Sequence, residues 1–183
     1  MAFLRRVLFA PLLGLAMVLS LAPARAAQVG ESDVKAAYLF NFTRFVEWPG
    51  DIPAPSEPFR LCVVADGTMT ALIERTMRGE AVKGRTSATA VPASIEEARR
   101  CQILFVGRTE MSRVRPMLAA LRDHPVLTVS DAARFADTGG MIEFVRVDEN
   151  VRFRVNLEAA KRSRISISSR LLRVAVDVVG ATR

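Results

Sequence analysis

The stretch FRLCVVADG, residues 59–67, decides the fold of this chain. Its first seven residues are apolar except for Arg60, which is typical of a strand buried on both faces of a parallel sheet. Asp66-Gly67 is a turn signature that ends the strand. Because residues 70–77 then show a helical pattern, the stretch predicts a strand–turn–helix unit, from which α/β folds are built.

The same alternation of strand and helix continues toward the C-terminus. It predicts a weaker strand, a helical turn, a strong strand, a helix and a further strand, over residues 86–91, 95–99, 102–106, 110–122 and 126–129. Asp131 is expected to cap a short helix that ends before Gly139-Gly140. We therefore predict an α/β fold with a layered, mostly parallel sheet and flanking helices.

The two ends of the domain have different patterns. A mostly buried helix is predicted over residues 32–48, because apolar side chains occupy all of its sides. Residues 141–147 and 151–155 predict a C-terminal antiparallel hairpin, with Arg152 and Arg154 together on its exposed face. After it we expect a helix capped by Asn156, a short extended piece, and a last helix that ends near Val179.

The first 26 residues predict a secretory signal peptide. They contain a basic start with Arg5 and Arg6, an apolar run over residues 7–21, and the cleavage pattern Ala24-Arg25-Ala26. The run is shorter than the roughly 20 residues of a membrane-spanning helix, although an uncleaved anchor is the alternative. We therefore expect an exported soluble protein with a single domain over residues 27–183.

Charge argues against nucleic acid as a partner. Arg5, Arg6 and Arg25 belong to the predicted signal peptide, and their removal lowers the formal net charge from +7 to +4. The chain also has no basic run interleaved with aromatic residues, which nucleic-acid-binding surfaces commonly show.

Cys62 and Cys101 are the two cysteines of the chain. In an exported protein such a pair predicts a disulfide, and two buried free thiols are the alternative. No metal site is expected, because His124 is the single histidine and lies far from both cysteines.

The sequence carries no motif of a common enzyme class, and we predict no enzymatic activity. G-x-S-x-G, G-x-G-x-x-G, the P-loop and H-E-x-x-H are all absent from it. A crevice at the carboxyl ends of the strands would gather Asp66, Gly107, Ser130 and Asp131 and could hold a small ligand. The structural alternative is that Asp66 belongs to a turn and Asp131 to a helix cap. A small-ligand sensor or carrier is therefore the alternative function.

Five segments resemble a known family. VKAAYLFNF at residues 34–42, continuing to FVEWP at 45–49, closely resembles the opening signature of the YfiR-like family of exported proteins. Four further segments match in order, within residues 61–64, 101–106, 127–142 and 151–172. The resemblance extends over about residues 33–178, which is nearly all of the predicted domain.

This resemblance implies a periplasmic regulator that needs no cofactor. It would bind the periplasmic domain of an inner-membrane diguanylate cyclase and repress it, which controls cyclic-di-GMP and biofilm formation. An OmpA-like outer-membrane lipoprotein would sequester the repressor, and a homodimer is a further expectation. Cys62 and Cys101 match positions that form a disulfide in the family.

The resemblance also places partner contacts near the C-terminus. We expect four apolar residues there to contribute to an exposed apolar patch, namely Ile165, Ile167, Leu171 and Leu172. The alternative is that these side chains pack the last helix onto the sheet.

Overall fold

The computed structural model of the protein describes residues 30–50 and 53–180. The predicted signal peptide, residues 1–26, lies outside the described residues. The helices of this part are α1 (Glu31–Phe45), α2 (Gly67–Met77), α3 (Ile95–Arg99), α4 (Met111–Ala120), α5 (Leu157–Arg162) and α6 (Ser169–Val174). Its strands are β1 (Val46–Glu47), β2 (Phe59–Val64), β3 (Ala81–Val82), β4 (Arg85–Ala90), β5 (Ile103–Val106), β6 (Leu127–Ser130), β7 (Ile142–Val147), β8 (Asn150–Asn156), β9 (Ser166–Ile167) and β10 (Asp177–Val179).

Eight of these strands form one mixed sheet in the order β10-β8-β7-β6-β5-β2-β4-β3. The pairs from β7 through β6, β5 and β2 to β4 are parallel, as is the pair of β8 with β10. Only β7 with β8 and β3 with β4 run antiparallel in this sheet. The predicted α/β fold, with a mostly parallel sheet, flanking helices and a C-terminal antiparallel hairpin, is confirmed.

Helix α1 is partly buried, because it has neighbours on several sides. It packs against β8 and is flanked by α2 and α6. An aromatic cluster joins it to the hairpin, with the ring centroids of Phe42 and Phe153 5.3 Å apart and those of Tyr38 and Phe153 5.4 Å apart. These contacts explain the apolar residues of α1. The expectation of apolar side chains on all sides is wrong, because Asp33, Asn41 and Arg44 lie on an exposed stripe of the helix.

The disulfide lies in a smaller core between the sheet and helices α3 and α4. Cys62 is in β2 and Cys101 lies two residues before β5, which pairs with β2 in parallel. The two Cα atoms are 5.8 Å apart, in the usual range for a disulfide, and both side chains are buried. The predicted Cys62–Cys101 bond is confirmed, and the alternative of free thiols is wrong.

Both ends of the domain differ from the prediction through long-range strand pairing. Helix α1 ends at Phe45, before the predicted residue 48, because β1 pairs antiparallel with β9. The N–H of Ser168 also donates to the carbonyl of Phe45 at 2.9 Å. Helix α6 ends at Val174, because the chain that follows it forms β10 and pairs with β8.

Candidate functional site

The predicted crevice at the carboxyl ends of β2, β5 and β6 is present. It has a volume of about 210 Å³, and residues of the first turns of α1 form its outer wall. Asp66, Gly107 and Asp131 line it, as predicted. Ser130 does not, because it is fully buried and its hydroxyl donates to the carbonyl of Val106 at 2.7 Å.

The two aspartates of the crevice bind groups of the chain itself. Asp66 caps α2, and its Oδ1 accepts the N–H of Met69 at 2.9 Å. Asp131 caps no helix, and that part of the prediction is wrong, because residues 132–139 form successive turns. Its carboxylate instead accepts the N–H of Arg108 at 2.7 Å and the ammonium of Lys35 at 2.7 Å. Ligand binding in this crevice stays a prediction.

Lys35 is the charged centre of the crevice. It is only 6 % exposed, and its Nζ lies 2.6 Å from Glu31 Oε1 and 2.7 Å from Asp131 Oδ2. Glu31 also lies 3.3 Å from the guanidinium of Arg146 on β7. The hydrogen bond from Lys35, and the charges of Lys35 and Arg146, hold the pKa of Glu31 below its ordinary value against the opposing effect of burial. This network ties the start of α1 to β6 and β7.

Acid should weaken the protein partly through Glu31. Because its pKa is lowered in the folded protein, the unfolded chain takes up the proton first as the pH falls. The stabilisation is therefore complete above the ordinary value of 4.5 and is lost as the pH falls below it. Urea unfolding between about pH 6 and about pH 3 should show a larger loss of stability for the wild type than for Glu31→Gln.

The exposed Glu57 serves as the control for this experiment. A Glu57→Gln variant should follow the wild type over the whole pH range. Parallel curves for the wild type and Glu31→Gln would show that Glu31 contributes nothing to acid stability.

Arg154 joins three segments of the chain, which we call the Arg154 clamp. Its guanidinium lies 3.2 Å from Glu143 on β7, 2.9 Å from Asp137 in the loop before β7, and 2.9 Å from Asp177 on β10. The guanidinium of Arg154 donates hydrogen bonds to the carboxylates of Asp137 and Asp177, which raise the pKa of Arg154. The hydrogen bond from Arg154 also lowers the pKa of Asp137. Arg154 lies on the predicted outward face of β8, and it is half-buried because these acids surround it.

Glu143 is the buried member of the clamp, at 4 % exposure. Besides Arg154 it accepts the backbone N–H groups of Arg134 and Ala136, each at 3.0 Å. One carboxylate therefore fixes the turns that connect β6 to β7. The only signal in the sequence was an acid at the centre of an otherwise apolar run, Met141 to Val145.

The predicted partner segment is mostly buried. Ile165, Ile167 and Leu171 belong to the main core, and Leu172 is half-buried against it. The expected exposed patch is therefore wrong for the first three residues, because the pairing of β9 with β1 turns this segment inward. The alternative, that they pack the last helix onto the sheet, describes them. A role of this region in partner binding stays a prediction.

Two exposed valines follow this segment. Val174 at the end of α6 is 52 % exposed, and Val176 before β10 is 41 % exposed. These two valines and the half-buried Leu172 lie within five residues of the sequence, and we call the three of them the C-terminal apolar strip. Periodicity missed it because residues 169–179 were assigned to one helix.

The described residues contain neither a membrane-spanning helix nor a metal-binding cluster. Within residues 30–50 and 53–180, no helix has the length and apolar character needed to cross a membrane. The described part of the chain also contains no group of three or more His, Cys, Asp or Glu side chains that could hold a metal ion.

The family of the chain follows from its match to a sequence model of known proteins. A sequence model of the YfiR/HmsC-like family matches residues 32–176. The chain belongs to this family. The match covers all five segments on which the resemblance was based. YfiR/HmsC-like domains are regulatory, and the family together with the Cys62–Cys101 disulfide indicates a periplasmic regulator.

Two solved structures are similar to this YfiR/HmsC-like chain. A conserved domain protein from Vibrio cholerae O1 biovar El Tor shares 12 % identity over 80 % of the chain, with a TM-score of 0.53. An ABC domain in complex with L-Trp from Streptococcus pneumoniae shares 13 % identity over 81 % of the chain, with a TM-score of 0.48. The chain spans about 60 % of the length of each of them. At such identity the first likeness concerns the fold alone.

Proposed function

We propose that this YfiR/HmsC-like chain is a periplasmic repressor of an inner-membrane diguanylate cyclase. The observation that carries the proposal is the family match over residues 32–176. The buried disulfide supports it, because such bonds persist in oxidising compartments. In this proposal residues 1–26 are a signal peptide, and residues 27–183 act in the periplasm.

Repression in this proposal is a binding event and needs no catalytic residue. A protein that binds the inactive state of the cyclase more tightly than the active state shifts the population toward the inactive one. An OmpA-like outer-membrane lipoprotein that binds the repressor would lower its free concentration and release the cyclase. Both effects depend on a binding surface with a stable structure. The Cys62–Cys101 disulfide and the Arg154 clamp stabilise the sheet that carries it.

We place the cyclase contact at the C-terminal apolar strip, Leu172, Val174 and Val176. These side chains are available for contact, whereas Ile165, Ile167 and Leu171 are not. Exposed apolar side chains grouped on one surface commonly mark protein interfaces. The strip lies beside the edge strand β10, so a partner would meet both apolar side chains and an open strand edge.

Deleting the gene should raise cyclic-di-GMP in the cell. Release of a repressor removes a coupling that typically changes activity by roughly fivefold or more. Surface attachment should increase and motility should decrease. The measurement is cyclic-di-GMP in cell extracts by mass spectrometry. Unchanged cyclic-di-GMP, attachment and motility in the deletion strain would contradict the proposal.

Complementation of the deletion strain tests whether repression requires export of the protein and an intact C-terminal apolar strip. The full chain should restore the low cyclic-di-GMP level of the wild-type strain. Residues 27–183 alone should fail to do so, because without the predicted signal peptide they stay in the cytoplasm. A Val174→Asp/Val176→Asp variant should also fail while it keeps the unfolding midpoint of the wild type. Val91→Asp is the matched control, since Val91 is 59 % exposed and follows β4, which lies near the opposite edge of the sheet from β10. It should complement fully.

A further inference from the structure

A second cavity, of about 270 Å³, shares no lining residue with the crevice. Met111 and Leu118 of α4 form one wall, Phe135 and Met141 form the other, and Thr128 of β6 also lines it. The cavity follows from strand register. Strand β7 begins opposite Val129, so no strand of the sheet lies beside the first half of β6 on that edge.

The wall formed by the 131–141 loop is held in place without a ligand. The carboxylate of Glu143 binds two of its N–H groups, and the amide of Asn156 donates to the carbonyl of Ala136 at 2.7 Å. The ring of Phe135 packs directly on Gly140, where any Cβ would overlap it. A ligand would therefore enter a largely preformed space, which lowers the entropic cost of binding.

The rim of the cavity carries positive charge. Arg115 and Arg122 line it, and no acidic residue is among its described lining residues. Neither arginine forms an ion pair with any other residue that the structure describes, whereas Arg113 on the same helix is paired with Glu110 at 2.8 Å. An apolar cavity with two free guanidinium groups at its mouth is complementary to an apolar anion.

We propose that this cavity binds a small amphipathic carboxylic acid. The apolar body would lie between α4 and Phe135, where the flexible side chains of Met111 and Met141 adapt to its shape. The carboxylate would contact the guanidinium groups of Arg115 and Arg122, whose planar geometry suits it. Since the volume lies just below the range of about 300–1,000 Å³ that is usual for ligand cavities, the body should be small, with about six to ten carbon atoms. The proposal is independent of the proposed repression.

Octanoate is the probe that tests this proposal. Titration of the purified protein, labelled with ¹³C at the methionine methyl groups, should shift the signals of Met111 and Met141. The signals of Met69 and Met77 should stay unchanged, because both residues lie on α2 and line no part of the cavity. Octanamide, which has the same shape without the charge, should bind about fivefold more weakly, as expected for the loss of exposed ion pairs.

Variants of α4 locate the site. Ala119→Phe should abolish binding, because Ala119 is an exposed lining residue whose larger replacement would occupy the cavity. Arg115→Gln/Arg122→Gln should weaken octanoate about fivefold and leave octanamide unchanged. Ser112→Phe and Arg113→Gln are the matched controls, since both positions are exposed on α4 and line no part of the cavity.

Three results would overturn the proposal. The first is the absence of any shift at Met111 and Met141. The second is a shift that persists unchanged in Ala119→Phe. The third is equal affinity for octanoate and octanamide, which would mean that the arginines recognise no anion.

Discussion

Replacing Cys62 and Cys101 together by alanine should lower the free energy of unfolding by roughly 4 kcal/mol. The two cysteines are 39 residues apart in sequence, and the bond restricts the unfolded chain by closing a loop of that length. Alanine is the better replacement, because serine would place two hydroxyl groups in the small core beneath α3 and α4. A domain of this size is stable by only about 5–15 kcal/mol, so the loss is a large fraction.

Urea unfolding with and without a reductant measures this effect. The wild type in the reductant and the double alanine variant should unfold at similar midpoints, both well below the oxidised wild type. The reductant should leave the midpoint of the variant unchanged, which makes the variant its own control. A wild type whose midpoint does not respond to complete reduction would show that the bond adds no stability.

Replacing Glu143 by alanine should destabilise the protein by about 3 kcal/mol. The substitution removes the buried partner of Arg154 and leaves the N–H groups of Arg134 and Ala136 without their acceptor. Unsatisfied buried donors and broken buried ion pairs are among the most costly changes in folded proteins. The stability of Glu143→Gln should be intermediate between those of the wild type and Glu143→Ala, because its amide oxygen still accepts one of these hydrogen bonds.

Chemical denaturation at neutral pH measures this loss, and a double-variant cycle with Arg154→Met isolates the pair. The double variant should be less destabilised than the sum of the two single ones, since the two residues interact directly. Arg152→Met is the control. Arg152 lies two residues away on the same strand and donates only to the carbonyl of Val174, at 3.3 Å. An equal effect of Arg152→Met and Arg154→Met would contradict the special role of the clamp.

Local patterns predicted the inner part of the fold well. Strands β2 and β5 and most of helix α2 lie where apolar runs and turn residues predict them, because each depends on neighbours in sequence. Helix α2 starts at Gly67, three residues before the prediction. Asn156 caps α5 as predicted, through its side-chain oxygen and the N–H of Ala159. The disulfide also followed from cysteine count and the expectation of export.

The candidate sites were predicted only in part. Parallel strands end at one edge of a sheet, so the meeting of Asp66 and Asp131 could be foreseen. The partners of Asp131 could not, because Lys35 is 96 residues away in sequence and reaches it only when the tertiary fold brings the first turns of α1 to the residue after β6. The cavity beside α4 was missed as well, since it exists where β7 fails to pair with the first half of β6.

By itself, the sequence determined the strand–helix alternation, the disulfide pair and membership of the YfiR/HmsC-like family. Each of these depends on residue types and spacings that are fixed along the chain. Only the tertiary structure decided which apolar residues are exposed. Ile165 and Val174 are both apolar and lie in one short segment, yet the pairing of β1 with β9 buries the first and leaves the second exposed. Burial depends on contacts between distant segments, and local sequence patterns do not contain that information.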